Sequence, residues 1–71
     1  MPKLYSSGHI IKVLQKQGFV FISQKGSHIK YRKYGSPTLT AIIPAVRKQV
    51  PIGTFKSILR QADLKTEDFE N

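Results

Sequence analysis

Between His28 and Arg32 polar and apolar side chains alternate without a break: His28, Ile29, Lys30, Tyr31, Arg32. Successive side chains of a β-strand point to opposite faces, so a strand sorts this run cleanly, whereas a helix would spread it around its circumference. Ile29 and Tyr31 then enter a core, while an imidazole and two permanent cations line the other face. Turn-forming residues bound the run. Lys25-Gly26 precedes it, with Gly26 able to take positive φ, and Gly35-Ser36-Pro37 follows it. The strand itself is expected from Ser27 to Tyr34. On one side lies Phe19-Val20-Phe21-Ile22, ending at Ser23-Gln24; on the other, Thr38 to Ile43, stopped by Pro44. Both are rich in residues that favour strands. Three strands joined by short turns predict an antiparallel meander.

Outside the meander the apolar period changes from two to 3.6. Ser6 and Ser7 are good N-caps, and Gly8 to Gln17 reads as a helix. Ile10, Ile11, Val13 and Leu14 give it an apolar face, Lys12, Gln15 and Lys16 point outward, and Gly18 can close it in the left-handed region. Its first turn holds no acid; His9 stands there and is expected to be a surface residue without a catalytic role. Ala45 to Gly53 is a loop carrying Arg47 and Lys48. A second helix then opens at Gly53 or Thr54, with Phe55, Ile58, Leu59 and Ala62 at i, i+3, i+4 and i+7. Thr66 is placed to cap a final turn, Glu67-Asp68-Phe69, with Phe69 folding back on the core. The order α-β-β-β-α predicts an α+β domain over residues 1–71, with two helices on one face of a three-stranded antiparallel sheet. The other face stays open and basic.

Seventy-one residues bury only roughly 60% of the surface the unfolded chain exposes, so the core is thin. No Cys is present to staple it. No apolar run approaches the length of a membrane span, and the first residues lack the apolar stretch of a secretory signal, so a soluble cytoplasmic protein is expected. Charge narrows the function further. The net charge is +8, and all four acids, Asp63, Glu67, Asp68 and Glu70, lie in the last nine residues. A body with eleven Lys or Arg in residues 1–62 and no carboxylate should attract nucleic acid, or an acidic protein that imitates it. Chemistry built on paired carboxylates is excluded there, and neither Mg²⁺ nor Zn²⁺ finds a dedicated ligand set near His28. Catalysis must run on His, Lys, Arg, Tyr and Ser.

Two stretches together carry a family resemblance: Gln24-Lys25-Gly26-Ser27-His28, and Pro51-Ile52-Gly53-Thr54-Phe55-Lys56-Ser57-Ile58-Leu59-Arg60-Gln61-Ala62. With Ser7-Gly8 before the first helix and Gly18-Phe19 after it, the chain resembles the HicA family of toxin proteins from Ser7 to about Phe69. The resemblance implies a double-stranded-RNA-binding-domain-like fold. It also implies a messenger-RNA endonuclease of a type II toxin–antitoxin system, held inactive by a HicB antitoxin. The family's catalytic residue is the His of Gly-Ser-His, which falls on His28. One departure stands out: many members carry a second His two residues after the proline that ends the third strand, where this chain has Val46.

The expected mechanism has His28 deprotonating the RNA's own 2′-OH, with Lys30 and Arg32 stabilising the developing phosphorane charge and the general acid unassigned. The expected RNA-binding set is Lys25, Gly26, Ser27, Lys30, Arg32 and Arg47. Expected partners are mRNA and an antitoxin whose acidic surface covers His28, with no membrane, metal or small-molecule cofactor. The rival reading is a non-catalytic RNA-binding module of similar fold, which would not need His28. A DNA-binding repressor using the second helix is disfavoured, since only Lys56 and Arg60 would serve it and no helix-turn-helix pair is evident.

Overall fold

The structure is a computed structural model and describes residues 3–70. Helix α1 (Ser7–Lys16) leads into strands β1 (Val20–Lys25), β2 (His28–Lys33) and β3 (Leu39–Pro44), then helix α2 (Ile52–Ala62), and a single 3₁₀ turn (Thr66–Phe69) follows. The strands pair antiparallel in the order β1-β2-β3, with β2 central. The α-β-β-β-α order and the antiparallel meander are those the sequence predicts.

Local chemistry explains the boundaries. Ser6 caps α1, its hydroxyl accepting the His9 N–H at 3.1 Å. The helix ends where Gly18 takes φ +98°. The Phe19 N–H then reaches back to the Leu14 carbonyl and the Gly18 N–H to that of Gln15, two bonds that satisfy otherwise orphaned carbonyls. Helix α2 ends the same way on Asp63 at φ +55°, with Leu64 N–H on the Leu59 carbonyl and Asp63 N–H on that of Arg60. It begins at Ile52, one or two residues before the expected Gly53 or Thr54. Pro51, at φ −55°, already has the φ of a helix and lacks the N–H that a helix start leaves unpaired, so Ile52 opens the helix.

The core lies between the helices and one sheet face. Ile10, Val13 and Leu14 of α1 and Phe55, Ile58 and Ala62 of α2 meet Tyr31, Ala41 and Ile43 of the sheet in one buried cluster. Leu14, Ile10 and Ile43 are fully buried; each such side chain contributes about 1.5–3 kcal/mol relative to exposure. Phe69 does fold back: it is buried against Phe55, ring centroids 5.0 Å apart and edge to face, and against Tyr5 at 6.0 Å. Thr66 does not cap the last turn. Lys65 precedes it in extended conformation, and the Asp68 carboxylate accepts the Lys65 N–H at 2.8 Å, a role that suits a carboxylate at a helix start.

His9 also differs from expectation. It is half-buried, stacks on Tyr5 with centroids 4.9 Å apart, and its Nε2 lies 3.0 Å from the Phe69 carbonyl oxygen. A carbonyl only accepts, so Nε2 carries the hydrogen. His9 is thus a clasp between α1 and the last turn, which the sequence could not disclose because its partner lies sixty residues away.

Candidate active site

His28 opens β2 and is exposed. Ahead of it stands a two-residue loop, Gly26-Ser27, closed by the Lys25–His28 pair. Gly26 takes φ +59° while Ser27 is not in the left-handed region, the pattern of a type II′ hairpin turn with glycine first. The Gln24 side-chain amide donates to the Gly26 carbonyl at 3.2 Å. On the third strand His28 faces Pro44, so Pro44 is the last residue of β3 rather than a stop before it.

Residues directly opposite in antiparallel strands share a face. The helix-free face therefore carries three rungs: Lys25, His28 and Pro44; Ser23, Lys30 and Ile42; and Val20, Arg32 and Thr40. Ile29 and Tyr31 face the other way, half-buried and buried, as the alternation predicts. The rung nearest His28 was not legible in advance. Register shifts between Phe21 and Ser23, leaving Ile22 as an extra residue, a β-bulge. Without the bulge Gln24 would oppose His28; with it, Lys25 does.

The expected set divides accordingly. Lys25 stands across from His28, and Gly26 and Ser27 form the turn beside it. Lys30 is one rung away and half-buried. Arg32 is two rungs away, roughly 13 Å along the strand, and its Nε donates to Thr40 Oγ1 at 3.1 Å. Arg47 sits in the loop after β3, exposed beside exposed Lys48. That loop is tied to the hairpin by the Ala45 N–H, which donates to the Ser27 carbonyl at 2.7 Å.

Ser7 holds the same loop from the other side. It is buried, 3% exposed. Its hydroxyl donates to the Pro44 carbonyl and accepts the Arg47 N–H at 3.0 Å. Its own N–H donates to the Arg47 carbonyl at 2.9 Å. Sequence reasoning read Ser7 only as a cap. Between Pro44 and Arg47 the chain turns through Val46, which takes φ +52° with its side chain 95% exposed. Among the described residues no three His, Cys, Asp or Glu side chains gather as a metal site would require, and no helix is long and apolar enough to cross a membrane.

Fold and site together define a small, strongly basic α+β protein with one histidine at the end of a cationic, helix-free sheet face. The model of the family described as the HicA toxin of bacterial toxin–antitoxin systems matches residues 8–64, and the chain belongs to that family. It is accordingly a toxin component with a cognate antitoxin as its partner. A comparison with curated proteins finds no match.

Proposed function

We propose that this toxin is a metal-independent endoribonuclease that cuts mRNA, with His28 as general base, and that a HicB-like antitoxin silences it by laying an acidic surface over His28. The observation that carries the reading is the placement of an exposed imidazole directly across from Lys25, on a sheet face that no carboxylate of the first 62 residues can neutralise. His28 takes the proton of the RNA 2′-OH. The freed oxygen attacks the adjacent phosphorus, Lys25 and then Lys30 stabilise the charge that develops on the phosphoryl oxygens, and the bond to the 5′-oxygen breaks. The site is open, so the departing oxygen takes its proton from water. The products are a 2′,3′-cyclic phosphate and a 5′-hydroxyl end. A metal-activated water would call for several carboxylates at the hairpin, and the acids all lie in the last nine residues.

The test is cleavage of RNA by purified protein beside a His28→Ala control. The substitution should lower the rate by about 10²–10⁴-fold, the usual contribution of a general base, while leaving folding intact. Excess EDTA should change nothing, and a 2′-deoxy sugar at the scissile position should block cutting. Equal rates for both proteins would leave the non-catalytic RNA-binding reading in possession, and 5′-phosphate ends would overturn the mechanism.

A further inference from the structure

A groove of about 390 Å³ opens between the start of α1 and the loop that follows β3. That volume lies toward the lower end of the ~300–1,000 Å³ range of small-ligand clefts. Ile11, Ile29 and Val46 line it, and almost all of its surface is apolar; Arg47 and Lys48 also border it. None of its lining residues is acidic. Ile29 is the residue next to His28, and the Ala45–Ser27 hydrogen bond ties the groove's loop to the turn before His28. The groove therefore lies at the same end of the sheet as His28 but on the helix side, around the hairpin end from the candidate catalytic face.

Val46 needs an explanation that the free protein does not supply. A β-branched residue at φ +52° is strained, and a side chain 95% exposed recovers almost nothing by burial. Ser7 fixes the backbone on both sides of it through Pro44 and Arg47. The loop is thus held so that an apolar side chain stands out beside two cations. A flat, weakly polar ring attached to an anionic group satisfies both halves of that arrangement.

We propose that the groove is a nucleotide subsite. It takes the base of a nucleotide where the bound RNA passes around the hairpin end from His28, against Ile11, Ile29 and Val46, with that nucleotide's phosphate on Arg47 and Lys48. The proposal rests on the RNA-cleaving reading above for its place in the reaction, though not for the binding itself. No carboxamide or carboxylate side chain borders the groove; the Ser7 hydroxyl both donates and accepts within the loop, and the Ser6 oxygen accepts the His9 N–H. The subsite should therefore accept purines and pyrimidines alike, because base identity is read mainly by directed hydrogen bonds.

The test is titration of the full chain, observed by amide NMR, with uridine 3′-monophosphate, adenosine 3′-monophosphate, ribose 5-phosphate and inorganic phosphate. Both nucleotides should bind at least tenfold more tightly than ribose 5-phosphate, shifting the amides of Gly8, Ile29, Val46, Arg47 and Lys48. Val46→Ser should weaken the nucleotides several-fold and leave phosphate binding as it was, whereas Arg47→Gln should weaken both. Equal affinity for ribose 5-phosphate and the nucleotides would reduce the groove to an anion site and overturn the proposal. Nucleotides that leave those amides unmoved would overturn it too, leaving the groove to the antitoxin. RNA cleavage measured on the same samples separates the two readings. His28-dependent cleavage without nucleotide in the groove removes the subsite and spares the nuclease; nucleotide in the groove without cleavage does the reverse.

Discussion

Two residues show how much of the site rests on single side chains. Ser7 joins α1 to the end of β3 and the loop after it through three hydrogen bonds, two of them involving its hydroxyl. Ser7→Ala strips partners from the Pro44 carbonyl and the Arg47 amide, which should cost about 1–3 kcal/mol. For a domain this size the midpoint of thermal unfolding should fall by roughly 4–8 °C per kcal/mol, read by circular dichroism. Val46 works in the opposite sense. Asn enters the left-handed region far more readily than a β-branched residue, so Val46→Asn should raise stability by about 1 kcal/mol in denaturant melts. A loss of stability would mean that φ +52° carries no strain there. At this scale the sequence disclosed what depends on parity along a strand: His28 is exposed and Tyr31 buried, as alternation requires. It could not disclose Ser7, because a serine at a helix start reads as a cap, and its partners lie 37 and 40 residues away.

Among the elements, the helices were the most legible, since a 3.6 period is a local signal, joined in α1 by a closing glycine. Their ends moved by only a residue or so, under the control of Ser6, Gly18 and Pro51. The hairpin was legible in kind but not in register. The bulge at Ile22 adds one residue to β1 and thereby exchanges Gln24 for Lys25 opposite His28, and nothing in Val-Phe-Ile-Ser-Gln-Lys announces it. The consequence can be measured. Sequence reasoning gave charge stabilisation to Lys30 and Arg32; the register sets Lys25 opposite His28, with Arg32 two rungs off and held by Thr40, and the proposed mechanism accordingly adds Lys25. Lys25→Gln should slow RNA cleavage by about 10- to 100-fold, the equivalent of one hydrogen bond to a charged group at roughly 1.5–3 kcal/mol. Arg32→Gln should cost less than half as much on the same logarithmic scale. A larger loss at Arg32 would assign the reacting phosphate to the far end of the strand. The link between α2 and β3 was also hidden: the Gln61 carboxamide oxygen accepts the Ile42 N–H at 2.9 Å, covering one otherwise open group on that edge.

In the molecule as a whole, a thin core is closed by its last turn. Tyr5, His9, Phe55 and Phe69 form one aromatic group that joins the beginning of the described chain to its end. Total stability for 71 residues should be about 4–10 kcal/mol. Phe69→Ala, at about 3–5 kcal/mol for a buried phenylalanine, should remove a large part of it and leave a fraction unfolded at 37 °C, visible as unprotected amides in hydrogen exchange. Retention of the wild-type midpoint would show that the turn is decoration. Strand β1 sits at the edge of the sheet, with β2 as its only strand neighbour among the described residues, and exposes Val20 and Phe21 at 49% and 56%. Lys25 is its one charged residue. An edge of this kind is a template for further strands, and a lysine is a common brake on such growth. The side chain proposed to meet the phosphate is thus expected to limit association as well. A Lys25→Gln preparation should turn polydisperse on concentration well before the wild type does, so its light-scattering trace must be read alongside its rate.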